Sequence, residues 1–165
     1  MSVTWFDGCL ALLLLGLAVY QSRREFGSAL FDLVMTIAAV HLAFRYAPIL
    51  AERVALHTTV EGSRALWQAA LLPVTLAACV GLGRLIHQTT RWTLDALDPA
   101  AGFALGVAVG LVCAHALTRT VGDLWSAPGG RLPAFVERST LGAELYDFRS
   151  LHGARQLLHD IQRRG

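Results

Sequence analysis

Four ionisable residues lie inside stretches of sequence that are otherwise apolar. They are Asp7, Asp32, His41 and His115. A charge at the centre of a bilayer costs about 2.5–3.5 kcal/mol on insertion scales, so each of these side chains needs a partner or a water-filled path. Asp32 lies deepest among the acids. One hypothesis places Asp32 in a proton or ion pathway, and the other pairs it with Arg23 or Arg24 near the membrane end.

A relay within a single helix is not expected for these residues. Asp32 and His41 are nine residues apart, which places them on opposite faces of a helix. Any partner of Asp32 in a relay therefore has to come from another helix.

The sequence carries no pattern typical of catalysis or of metal binding. It lacks GxSxG, HExxH and a Walker-type glycine loop, and the glycines at 81 and 83 lack the rest of a dinucleotide fingerprint. Its three cysteines, Cys9, Cys79 and Cys113, form no CxxC pair. We therefore expect no enzyme, no catalytic residue, no cofactor and no metal site, and nothing in the charge balance of +2 indicates a nucleic-acid partner.

A row of small residues follows Asp98 at every fourth position. We call Gly102, Gly106, Gly110 and Ala114 the glycine stripe. At about 3.6 residues per turn the stripe runs along one face of a helix. Small residues allow two helix backbones to approach closely in lipid, so static helix packing is the first interpretation, and a pore-lining or moving interface is the second.

The elements that must position these residues are apolar blocks of membrane-spanning length. The chain is 55% hydrophobic and only 16% charged, which is too apolar to cover the core of a soluble domain of 165 residues. The blocks are Val3–Ser22, Ser28–Phe44, Ala65–Gly83 and Ala100–Thr118. The last two contain no Asp, Glu, Lys or Arg, which predicts transmembrane helices.

The connections between the blocks differ in length and character. Gln21–Gly27 is a short charged turn that predicts a helical hairpin. In Arg45–Arg64, Pro48 predicts that the helix ends and that the chain runs along the membrane surface. Arg84–Pro99 has the spacing of an interfacial amphipathic helix.

Beyond the fourth block the composition becomes mixed. Apolar residues then recur at helical spacing, at Leu141, Leu145, Phe148, Leu151, Leu158 and Ile161. The predicted fold is all-α and polytopic, with a four-span transmembrane domain over 1–122. An amphipathic helical tail over 123–165 is expected to lie on the bilayer or on a partner.

Arginines stand near both membrane ends, so the positive-inside rule does not decide the orientation. The short turn with Arg23 and Arg24 favours the cytoplasm for that side, which would place both termini outside.

Trp5 and Asp7 open the first span, and Arg24 follows seventeen positions after Asp7 with Phe26 close behind. Asp98 then precedes the glycine stripe, and a serine and a proline, Ser126 and Pro133, follow the fourth span. In this order and spacing, the residues resemble the colicin V production protein (CvpA) family.

The chain departs from the family pattern at three places. Glu25 stands where the family has glycine, Val109 stands where it has arginine, and Ala29 stands where it has an acid, for which Asp32 is a possible substitute. The resemblance implies a multi-pass protein of the bacterial inner membrane that is linked to colicin export and envelope homeostasis.

The motif charges Asp7, Arg24, Asp32 and Asp98 and the glycine stripe are the candidate site residues. The function expected is that of a membrane scaffold or accessory subunit that engages the lipid bilayer together with another envelope protein or a copy of itself. The alternative is a small channel or transporter subunit that conducts ions or protons.

Overall fold

The computed structural model describes residues 4–57, 59–90, 97–126 and 132–147, and all regular structure among them is helical. The elements are α1 (Trp5–Ser22), α2 (Phe26–Arg53), α3 (Val60–Thr90), α4 (Asp98–Leu124), α5 (Ala134–Glu137) and α6 (Thr140–Asp147). The helices α1 to α4 are each long and apolar enough to cross a membrane. The prediction of an all-α protein with four spans is confirmed.

The predicted end of the second span was wrong. Helix α2 continues past Phe44 and carries Pro48 inside it until Arg53. A proline removes one backbone hydrogen bond, but neighbouring helices and local adjustment tolerate that loss in transmembrane helices. The chain therefore stays helical where a surface segment was expected.

Helix α3 is longer at both ends than the predicted third span. Thr59 caps its start, because the Thr59 hydroxyl accepts a hydrogen bond of 3.1 Å from the Gly62 amide. At the other end, the residues from Arg84 to Thr90 continue α3 instead of starting an interfacial helix. Of the remaining residues of the predicted interfacial helix, 91–96 lie outside the described residues, and Asp98 and Pro99 belong to α4.

The glycine stripe of α4 lies on the backbone of α1. A Cβ atom at Gly106 would be 2.7 Å from both the Ala18 Cα atom and the Leu17 carbonyl oxygen. Real Cβ atoms do not approach other atoms so closely, so this contact requires glycine. Such an approach brings many atoms of two helices within dispersion range, which is the main source of helix association in lipid.

The same contact extends along the whole length of α1. Gly102 faces the Gln21 carbonyl group at one end, and a Cβ atom at Gly110 would be 3.1 Å from the Leu14 Cα atom. Ala114 is completely buried near the other end, in the apolar cluster that contains Leu10. Helices α1 and α4 are therefore antiparallel and in fixed register.

Helices α2 and α3 are arranged differently around this pair. Helix α2 packs against both α3 and α4, whereas α3 packs mainly against α2. Only 6% of the membrane-spanning stretch of α3 is buried, compared with 28–44% for the other three helices. Helix α3 is thus the outermost helix of the bundle.

The first part of the predicted tail folds back onto the bundle. Helix α6 packs against α4 and α1. The ring of Phe135 in α5 packs against the rings of Trp5 and Phe6. The centroid distances are 5.7 Å to Trp5 and 5.5 Å to Phe6. Val136 and Leu145 are buried in the same cluster as Phe6. This part therefore contacts the protein's own helices, while 148–165 lies outside the described residues.

Replacing Gly106 by Leu should lower the unfolding midpoint of the protein in detergent, because the new side chain meets backbone atoms that cannot move aside. Overpacking of this kind costs about 1–3 kcal/mol or more. Gly16→Leu and Leu111→Phe are matched controls, since a Cβ at Gly16 meets no atom within 4 Å and Leu111 is 40% exposed. Similar midpoints for all three variants would show that the stripe is not a packing interface.

Candidate functional site

Asp32 is buried among polar groups from α1 and from the turn that follows it. The Gln21 amide donates to Asp32 Oδ2 over 2.9 Å, and Arg24 Nη1 donates to the same oxygen over 2.8 Å. The carboxylate of Asp32 is 5% exposed, whereas the Arg24 side chain is 23% exposed and reaches outward. A buried carboxylate is tolerated when it is paired and hydrogen-bonded in this way.

A second arginine approaches this group from α3. Arg84 Nε lies 3.9 Å from Asp32 Oδ1, and Arg84 Nη2 donates to the Tyr20 hydroxyl over 3.3 Å. The Arg24 guanidinium stacks over the Tyr20 ring, 5.5 Å from its centroid. Residues of α1, α2 and α3 thus share one charged network, which we call the Asp32 network.

Asp98, which is distant in sequence, caps the N-terminus of α2 with its side chain. The N-cap residue of α2, Glu25, makes no side-chain capping bond. Instead, Asp98 Oδ1 accepts a hydrogen bond of 3.2 Å from the Phe26 amide. A carboxylate at a helix N-terminus also interacts favourably with the helix dipole. Glu25 pairs with His87 of α3 at 3.1 Å.

Asp7 binds the tail at the opposite end of the bundle. Its Oδ2 accepts from the Thr4 amide and hydroxyl, at 2.7 and 2.9 Å, which forms a capping box at the start of α1. Its Oδ1 accepts from the Ser139 hydroxyl at 2.6 Å and the Leu141 amide at 2.7 Å. Asp7 therefore ties the start of α6 to the start of α1.

The two histidines do not join the acids. His41 is exposed, while Asp32 is buried. His115 Nδ1 lies 2.5 Å from the Leu145 carbonyl oxygen and thus contacts α6. Among the residues that the structure describes, no three His, Cys, Asp or Glu side chains converge where they could hold a metal ion.

The structure places the candidate residues in two groups. Arg24, Asp32 and Asp98 lie together where α1 ends and α2 begins, and Asp7 lies at the other end. The partners of these residues, namely Gln21, Arg84 and Ser139, were not predicted from the sequence. Gln21 and Arg84 are polar residues at the edges of apolar blocks, which is the signal that could have identified them.

Four helices of membrane-spanning length, with their buried acids bound by neighbouring elements, define a multi-pass helical membrane protein. The family model described as Colicin V production protein matches residues 6–147, and the chain belongs to this family. No curated protein and no solved structure matches the chain.

Replacing Arg24 by Gln should destabilise the fold, because Asp32 loses its closest charged donor while it remains buried. Charge-assisted hydrogen bonds contribute about 1.5–3 kcal/mol to the free energy of unfolding. Arg23→Gln is the matched control, since Arg23 is exposed. Adding Asp32→Asn to Arg24→Gln should restore part of the loss by removing the unpaired charge. Equal unfolding midpoints in detergent for the Arg23 and Arg24 variants would contradict the role of the ion pair.

Proposed function

We propose that this protein is a scaffold or accessory subunit of the inner membrane, of the colicin V production type, and that it serves export and envelope homeostasis without catalysing a reaction. Membership of the family supports the class of function. The buried acids support a structural role, because Asp7 and Asp32 are both held by hydrogen bonds from neighbouring residues.

The exposed face of α3 carries the proposal. Val74, Leu82 and Leu85 are 56–66% exposed there. Ala77 and Gly81 are also exposed, four residues apart, and a Cβ atom at Gly81 would meet no atom within 4 Å. Two small residues at this spacing let a second transmembrane helix approach closely. The proposed partner is therefore a membrane helix, from a second copy of the chain or from another envelope protein.

Gly81→Leu should abolish binding of the partner without disturbing the fold, because the added side chain meets no other atom of this chain. Gly16→Leu is the matched control on α1, where the space is equally open. The measurement is purification from native membranes in mild detergent, with a second, differently tagged copy present. The co-eluting proteins are then identified and quantified.

The proposal predicts a stoichiometric partner that the wild type and Gly16→Leu retain and that Gly81→Leu loses. A retained second tag identifies self-association, and a different stoichiometric protein identifies an envelope partner. Equal retention by both variants, or a wild type that elutes as a monomer without a partner, would contradict the proposal.

The alternative is a small channel or transporter subunit, and the buried carboxylate of Asp32 is the observation that favours it. Its Oδ1 atom has no hydrogen bond within the described part of the chain.

The scaffold proposal predicts no proton or cation flux through liposomes containing the wild type, beyond that of empty liposomes, and the same result for Asp32→Asn. A wild-type flux that disappears in Asp32→Asn would replace the scaffold proposal by the channel, since Asn keeps the shape but cannot ionise.

A further inference from the structure

A cleft lies between α2, α3 and α4, near the end of α4. Its volume is about 330 Å³, which lies within the range of about 300–1,000 Å³ typical of small-molecule sites. The apolar part of its wall consists of Ile37, Val40, Phe44 and Val112. Ile37 is 50% exposed, so the cleft opens on the outer surface of the bundle, where lipid is the solvent.

Two arginines, Arg64 and Arg119, line the same cleft. Arg64 lies in the first turns of α3 and Arg119 lies near the end of α4, so both stand at the same membrane end. Arg119 stacks on Phe44, with its guanidinium carbon 5.6 Å from the ring centroid. This contact holds the charge at the apolar wall.

Neither guanidinium is neutralised within the described part of the chain. The arginines that form ion pairs there are Arg24 and Arg84, both with Asp32. The Arg119 Nε atom is buried and has no hydrogen bond among these residues. A buried N–H group without an acceptor is costly. An anion between the two arginines would supply an acceptor and balance their charge.

Carboxylates lie on the far side of the arginines. A second cavity of about 280 Å³ shares Arg64 and Arg119 with the cleft and adds Glu61 and Asp123. The order along the combined surface is therefore apolar wall, two cations, two anions. Asp123 Oδ1 also accepts from Tyr146 over 2.7 Å, which fixes its position.

We propose that this surface binds a phospholipid whose headgroup carries an ammonium group beyond the phosphate. One acyl chain would lie on the apolar wall, the phosphate between Arg64 and Arg119, and the ammonium beside Glu61 and Asp123. Guanidinium groups are well suited to phosphate oxygens, and carboxylates favour an ammonium over a neutral group. A free phosphate ion would satisfy the arginines alone, without using the apolar wall or the acids.

The test compares ligands on the purified protein in mild detergent, by native mass spectrometry and by thermal shift. The probes are phosphatidylethanolamine, phosphatidylglycerol and inorganic phosphate. We expect one phosphatidylethanolamine per chain, bound more tightly than phosphatidylglycerol, and no stabilisation by inorganic phosphate at the same concentration. Stabilisation by inorganic phosphate equal to that by the lipid would overturn the lipid assignment.

Lipid binding by variants of the cleft residues tests where the site lies. Arg64→Gln and Arg119→Gln should each weaken binding of both lipids about tenfold, because each removes a charge-assisted bond to phosphate. Glu61→Gln should leave phosphatidylglycerol binding unchanged and reduce the preference for phosphatidylethanolamine. Arg45→Gln is the control, since Arg45 is exposed on α2 and does not line the cleft.

The Arg64 variant keeps the test valid if Arg119→Gln unfolds the protein, because the Arg64 side chain is exposed. Lipid binding by Arg64→Gln equal to that of Arg45→Gln would contradict the proposal. An unchanged lipid preference in Glu61→Gln would also contradict it, since the ammonium would then have no role.

Discussion

The contact between α1 and α4 at backbone distance determines most of the geometry of this protein. In lipid no hydrophobic drive brings helices together, so close packing of small residues must supply the attraction. The glycine stripe provides it over the length of α1, from the Gln21 carbonyl at Gly102 to the Leu10 cluster at Ala114. Once this register is fixed, each end of α1 faces a defined end of α4.

The polar contacts follow from that register. At one end, Asp98 at the start of α4 accepts a hydrogen bond from the Phe26 amide and thereby caps the first turn of α2. At the other end, α4 supports α6, and Asp7 binds Ser139 and Leu141. These acids at helix starts therefore join elements that are far apart in sequence. Helix α3 takes little part in this core, which leaves its outer face available to lipid or to a partner.

The sequence predicted the four spans because apolar blocks of this length are stable in a bilayer only as helices, and it predicted an all-α fold for the same reason. It did not predict that α2 passes through Pro48, since the tolerance of proline depends on neighbouring helices that a single sequence does not reveal. The Asp32 network was foreseen only as a possible pair with Arg23 or Arg24. Gln21 and Arg84 come from other helices, and Arg64 and Arg119 meet only in the folded bundle.

The backbone contact between α1 and α4 can be observed directly by nuclear magnetic resonance. In a sample with labelled glycine and alanine, the account predicts a short-range cross-peak between the α protons of Gly106 and Ala18, because a Cβ atom at Gly106 would lie 2.7 Å from the Ala18 Cα atom. The spectrum is recorded on the full chain in detergent micelles with both residues assigned. Cross-peaks from Gly106 only to detergent or to residues of α2 or α3 would contradict the account.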